Sequence, residues 1–177
     1  MDKPMSSFRF RLMCTGYKFR DFFFPRGRVL EEAGIKPGFH VLDYGCGCGS
    51  YVVPLAKLVG ESGRVYALDI HPVAIRKVQH IARKNRLVSV VTIRSDCQTG
   101  LADTSVDAVL LYDVFHHFSE PDRILKELYR ILKPGGVLSF SDHHMKESEI
   151  LAGVTGNGLF RLLRRGKRTY TFVKQVS

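Results

Sequence analysis

Val41-Leu42-Asp43-Tyr44-Gly45-Cys46-Gly47-Cys48-Gly49-Ser50-Tyr51 is the stretch that decides how this chain folds. An apolar run ends there in an acid, three alternating glycines follow, and apolar residues resume at helical spacing with Val52, Leu55, Ala56 and Val59. A strand that stops at Asp43, a turn lacking a Cβ at every second position, and a helix just beyond it bring backbone close to a ligand. That is the form of a nucleotide-type binding turn.

Working outward, a short helix around Val29, Leu30 and Ala33 is expected to stop at Gly34, before the turn Lys36-Pro37-Gly38 and a first strand over 39–43. Beyond the glycines, 64–69 reads as a buried second strand, and Pro72 opens a helix with Ala74, Val78 and Ile81 on one face. A third strand over 88–93 runs out at Ser95-Asp96-Cys97, and a fourth over 106–112 ends in Asp113. Pro121 opens a helix through Ile124, Leu125, Leu128, Ile131 and Leu132, closed by Lys133-Pro134-Gly135-Gly136, and a fifth strand over 137–141 meets Asp142. This alternation predicts a parallel sheet covered by helices on both faces. A helix over 147–152 and a glycine-rich stretch over 153–158 follow. Segments 159–163 and 169–173, either side of a basic turn, then read as a hairpin, which makes the last strand antiparallel.

With 177 residues, 45% of them hydrophobic, the chain can bury one good core and is too short for two ordinary domains. No apolar run approaches a membrane span, and the N-terminus alternates aromatic with basic residues and lacks the apolar core of a secretion signal. A cytoplasmic protein with no membrane partner is expected. Four cysteines, two of them in the glycine turn, are expected to be reduced thiols. The net charge of +10 sits at the ends: residues 1–28 carry seven basic and two acidic side chains, and residues 159–177 carry six basic and none acidic. Residues 1–28 read as a basic, aromatic arm or lid, with Tyr17 and Phe19 as candidate wall residues, and 29–177 as the binding domain.

All five parallel strands end at or near an aspartate: Asp43, Asp69, Asp96, Asp113 and Asp142. Each either caps the next helix or faces a ligand beyond the strand ends. Asp69, about twenty residues past the glycines, stands where an acid binds ribose hydroxyls.

The turn at 41–49, Asp69, Ser95-Asp96-Cys97, the run 106–117 and Leu132-Lys133-Pro134-Gly135-Gly136 together resemble the class I S-adenosylmethionine-dependent methyltransferases over roughly residues 28–177. The similarity is greatest to the small-molecule branch, as in ubiquinone/menaquinone-biosynthesis methyltransferases. The resemblance implies a three-layer Rossmann-like α/β fold with a seven-stranded, mostly parallel sheet of order 3-2-1-4-5-7-6, strand 7 antiparallel. It implies S-adenosylmethionine as cofactor. Asp43 and the backbone of Gly45 to Gly49, with Cys46 and Gly47 between them, would hold the methionine end, and Tyr44 counts among the cofactor-binding residues. Asp69 would bind the ribose, with Ile70 beside the adenine; Asp96 would meet the adenine amino group with Cys97 against the ring. Tyr112 and Asp113 would lie near the transferable methyl. A nicotinamide oxidoreductase is the rival nucleotide reading, but its G-x-G-x-x-G needs a third glycine where Ser50 stands. A cofactor-binding regulator or subunit without catalysis is the other alternative.

His116, His117, His143 and His144 follow strands 4 and 5 and are the candidate general bases for an acceptor that must lose a proton. Against this, one of each pair could face the core or cap a helix while its neighbour is solvated. Convergence of the histidines on a metal with Asp113 or Asp142 is a sharper idea, but no metal is assigned; Cys46 and Cys48 offer two ligands where zinc takes about four. The acceptor is expected to be a small molecule, its anionic character left open, in preference to RNA or protein. The basic turn at 164–168 is either a solvated face or a lip that attracts anions, including RNA. A monomer or homodimer fits equally.

Overall fold

The computed structural model describes residues 6–10, 12, 14 and 26–175. Seven strands form one sheet of order β3-β2-β1-β4-β5-β7-β6. They are β1 (His40–Tyr44), β2 (Arg64–Asp69), β3 (Val90–Arg94), β4 (Val106–Tyr112), β5 (Leu132–Ser141), β6 (Phe160–Arg165) and β7 (Tyr170–Lys174). The first five pair in parallel, and β7 is antiparallel to both β5 and β6. The helices are α1 (Gly27–Glu32), α2 (Val52–Val59), α3 (Pro72–Lys84), α4 (Pro121–Ile131) and α5 (Glu147–Thr155).

Alternate residues of each strand feed opposite cores, as the pleat requires. Val41, Val65, Ala108 and Leu110 pack under α1 and α2 with Leu30, Leu55 and Val59. Leu42, Leu68, Val109, Leu111 and Phe140 pack under α4 and α5 with Leu125, Leu128 and Val154. Prolines open α3 and α4 at positions where no helical N–H partner is needed. His71 caps α3 by accepting from Val73 N at 3.0 Å, and Glu149 reaches back to Lys146 N at 2.7 Å to start α5.

Several details differ from expectation. The helix through 121 stops at Ile131, because Leu132 pairs with Val106 and already belongs to β5, which carries Pro134-Gly135-Gly136 through an irregularity in the register. Lys133 is held there by Asp107 at 2.7 Å. The third strand starts at Val90, leaving Val88 exposed in the preceding turn. The face of α3 buries Ile75 as well as Ala74 and Val78, while Ile81 is only partly buried. Finally, α5 continues past Ala152 through Gly153, whose missing Cβ leaves room for the Phe115 ring.

The expectation of four reduced thiols is overturned. Cys14 and Cys48 form a disulfide across 34 residues, and only Cys46 and Cys97 are free. Cys48 thereby fastens the N-terminal helical residues to the glycine turn. Phe10, buried, stacks on the His71 ring at 4.4 Å and strengthens the attachment. Tyr17 and Phe19 lie outside the described residues.

Candidate cofactor and acceptor site

The site lies beyond the carboxyl ends of β1, β2, β4 and β5, where parallel sheets place ligands. The turn after β1 is held by backbone: Gly45 N and Cys46 N both donate to Leu68 O, at 2.8 and 2.9 Å. Gly45 has φ +77, and a Cβ there would fall 2.8 Å from Val114 Cγ2. Gly49 has φ +78 and would meet Ile81 Cδ1 at 2.9 Å. Larger residues at either position would push the turn off the segment that follows β4 or off α3, so the glycines set how closely it is drawn in.

Asp69 braces the same turn. One carboxylate oxygen accepts from Gly47 N at 2.8 Å and the other from His71 N at 2.7 Å. Burial pushes its pKa up, partly opposed by those two backbone donors. Asp43 is different. It is 3% exposed, and its Oδ2 is a buried oxygen with no hydrogen-bond partner. Burial first, and the negative charge of Asp69 second, push its pKa up to about 7. An orphaned buried carboxylate is costly unless something cationic completes it. Asp43 therefore fits a ligand with an ammonium group at this place. The Cys46 thiol is pushed well up by burial and by the same two acids, which keeps it neutral and unreactive.

Tyr44, Gly45, Asp69, Ile70, Asp96 and Phe118 line one cleft of about 20 Å³, room for about one water. Tyr44 donates to Asp96 O at 2.8 Å, and Phe118 stands edge-on to Tyr44 at 5.7 Å, so these aromatic walls must part for a ring-sized ligand. Cys97 is buried at the strand end, and Asp96 is exposed beside it. Tyr112 is turned to the α1 and α2 face, with its hydroxyl 2.7 Å from Ser139 Oγ and its ring 5.1 Å from that of Tyr51.

At the ends of β4 and β5 the four histidines form a row of neighbouring rings tilted 41–52° to one another. Centroids are 3.9 Å apart for His116 and His117, 4.4 Å for His116 and His144, and 3.9 Å for His143 and His144. None of the four is buried. His116 Nδ1 lies 2.8 Å from Asp142 Oδ2, and His143 Nδ1 lies 2.7 Å from Asp113 Oδ1. Against a carboxylate, Nδ1 carries the proton and Nε2 is left as the basic nitrogen. Burial acts to raise the Asp142 pKa, but the His116 ring and the N–H groups of His144 and His116 outweigh it, and the carboxyl sits below its ordinary value. The His117 pKa is lowered, by burial and then by His116. Asp113 holds φ +52, left-handed backbone that Asp tolerates better than most residues, and its N–H donates to Ser141 O at 2.7 Å. Among the described residues no group of three or more His, Cys, Asp or Glu is arranged to hold a metal ion.

Three supports had no signal in the sequence. The Cys14–Cys48 bond and the Phe10–His71 stack join segments far apart in the chain. Glu32, at the end of α1, accepts from Arg168 N, Thr169 N and Thr169 Oγ1 at 3.0 to 3.1 Å, and so holds the basic turn. That turn lies on the site's edge of the sheet: Arg165 is level with Tyr170, which is level with Phe140, two residues before Asp142.

With this geometry in place, the methyltransferase domain family matches residues 42–140. This chain belongs to that family. It is 28% identical over 138 residues to a ubiquinone/menaquinone biosynthesis C-methyltransferase of Pseudoalteromonas translucida, covering 77% of this chain and 55% of the relative. It is 32% identical over 124 residues to a ribosomal protein L11 methyltransferase of Burkholderia mallei, covering 70% of this chain and 38% of that protein. The chain thus spans about half or less of the length of these relatives. A crystal structure of a SAM-dependent methyltransferase from Aquifex aeolicus superposes with a TM-score of 0.81 at 27% identity, covering 96% of this chain and 97% of that one. Family and structural likeness together assign S-adenosylmethionine as the cofactor. They also set aside the nicotinamide reading, and the sheet order is the one the resemblance implied.

Proposed function

We propose that this methyltransferase moves a methyl group from S-adenosylmethionine to a small hydroxylated aromatic acceptor held over the ends of β4 and β5, with His116 as general base. The His116–Asp142 pair carries the reading: a partly buried imidazole with its Nδ1 fixed and its Nε2 available, beside the turn that suits the cofactor. The bound cofactor supplies an already activated methyl on a sulfonium. Asp43 would receive its ammonium, Asp69 its ribose hydroxyls and Asp96 its adenine amino group. His116 Nε2 takes the acceptor's hydroxyl proton, and Asp142 stabilises the imidazolium that results. His143, oriented by Asp113, is the second candidate on the same edge, and His117, with its lowered pKa, stays neutral as a wall of the site. The names of the quinone-biosynthesis relatives support an aromatic ring as acceptor.

Residues 1–28 serve as the lid, a reading favoured by Phe10 on His71. The reaction is placed in the cytoplasm, where thiol buffers would act on the Cys14–Cys48 bond. Calorimetry with S-adenosylmethionine, followed by transfer of labelled methyl to hydroxylated aromatic and quinol acceptors, tests the proposal. Labelled product from the wild type, lost in His116→Ala with cofactor affinity intact, is the expected result. Cofactor binding without transfer to any acceptor would leave a binding regulator instead, and no cofactor binding would overturn the whole reading.

A further inference from the structure

Beyond the site, the molecule exposes apolar side chains in an unusual place. Phe8 and Leu12 are 78% and 67% exposed. They are four residues apart in helical backbone and so share one face. Phe10 and Cys14, on the opposite face, are buried against the turns after β1 and β2. The N-terminal helical residues are therefore clamped to the carboxyl-end edge of the sheet, with Phe8 and Leu12 facing away from the protein and Arg9 exposed beside them. On the same edge, beyond β6, Lys167 and Arg168 are exposed in a turn pinned by Glu32. Large apolar side chains on an outward face mark an interaction surface, and cations on the same edge say what kind.

From this we infer that the carboxyl-end edge docks on an anionic lipid bilayer, Phe8 and Leu12 entering the interface while Lys167 and Arg168 meet the headgroups. A polyanion such as RNA would account for the cations but gains nothing from an exposed Phe–Leu pair on a helix face; a bilayer surface uses both. The expectation of no membrane partner weighed only spanning segments, and indeed no described helix is long and apolar enough to cross a membrane. Surface docking is a different geometry. It deepens the aromatic-acceptor reading, on which it partly rests, because the mouth of the site would face the phase from which a lipid-soluble ring arrives.

Flotation of the full chain with acceptor-free vesicles, without cofactor, tests the docking alone, so a negative result there and a failure of methyl transfer are distinguishable. Binding to vesicles of phosphatidylcholine mixed equally with phosphatidylglycerol, none to phosphatidylcholine alone, and loss with rising salt are expected. Phe8→Ser/Leu12→Ser and Lys167→Glu/Arg168→Glu should each weaken binding about tenfold or more, with unchanged thermal melts showing that both variants fold. No binding to the mixed vesicles at low salt would overturn the proposal. So would wild-type vesicle binding by the Phe8/Leu12 variant, or salt-sensitive binding to a single-stranded RNA oligonucleotide by a protein that ignores the vesicles.

Discussion

Asp43 and Asp142 each sit near the end of a parallel strand, and both are nearly inaccessible, at 3% and 5% exposure. Their electrical states are opposite. Asp43 has an oxygen without a partner and a pKa pushed up to about 7. Asp142 is surrounded by donors from His116 and His144 and its pKa is pushed down. The chain completes Asp142 itself and leaves Asp43 for a cation it does not supply. The edge is thus split: a cofactor half under β1 and β2 with a carboxylate in reserve, and an acceptor half at β4 and β5 whose acids orient imidazoles.

The largest effect should come from breaking the acceptor half. His116→Ala removes the base and should lower turnover by about 10²- to 10⁴-fold with cofactor affinity unchanged. Asp142→Asn should lose part of that rate through misorientation of the ring, and its pH–rate profile should change shape while His117→Ala leaves the profile in place. Equal loss from all four histidine substitutions would mean that the row works only as a wall.

Next in size is the clamp on the cofactor half. Reduction, or Cys14→Ser, opens a loop closed across 34 residues and should cost about 2–4 kcal/mol of stability. Melting with and without a thiol reductant reads this directly. If Phe10 and Cys14 hold the turn for the cofactor, affinity should fall severalfold on reduction in the wild type and show no redox dependence in Cys14→Ser.

Asp43→Asn tests the reserve carboxylate. Cofactor affinity should fall about 10- to 100-fold, the loss of a charge-assisted hydrogen bond. The same substitution should not destabilise the free protein. An acid whose folded pKa lies above its unfolded value binds more protons when folded, so stability declines as pH rises from the ordinary aspartate range to about 7. Melts of wild type and Asp43→Asn should therefore diverge in favour of the variant as pH rises toward 7. Wild-type cofactor affinity should strengthen across the same interval, since ligand binding favours the ionised form.

Backbone regularity explains which of these features could be read from the sequence. Alternating strands and helices predict a parallel sheet, and a hairpin around a basic turn predicts its antiparallel end. The strand order, with its reversal between β1 and β4, comes instead from the family resemblance. The alternating glycines and Asp43 are close in sequence, so their juxtaposition was legible; Asp69 follows because β2 pairs with β1. Local pattern could not stop α4 at Ile131, since Leu132 continues the helical apolar stripe and only its pairing with Val106 removes it. Nor could it pair Cys14 with Cys48, because a bond between a helix and a loop leaves no period. The histidine pairs were visible as residues, while their assignment to Asp142 and Asp113 depends on β4 and β5 being neighbours.

The smallest effect concerns the joint between the acceptor edge and the rest of the fold. Glu32 ends α1 and binds the turn after β6 through two backbone N–H groups and one hydroxyl. A Cβ on Gly166 would fall 2.3 Å from Glu32 Oε2, so the turn is fitted closely around this carboxylate. Burial acts to raise the Glu32 pKa, but the bonds from Arg168 and Thr169 prevail and the pKa is lowered. The contribution is therefore present above the ordinary glutamate pKa and lost as pH falls through the lowered value. Glu32→Gln keeps the size and removes the charge; it should cost about 1–2 kcal/mol and speed hydrogen exchange at the Arg168 and Thr169 amides. Cofactor affinity should not change, because nothing in the β1–β2 half touches this carboxylate among the described contacts. A drop in cofactor affinity in Glu32→Gln would show that the two halves of the edge are mechanically coupled and that their division is wrong.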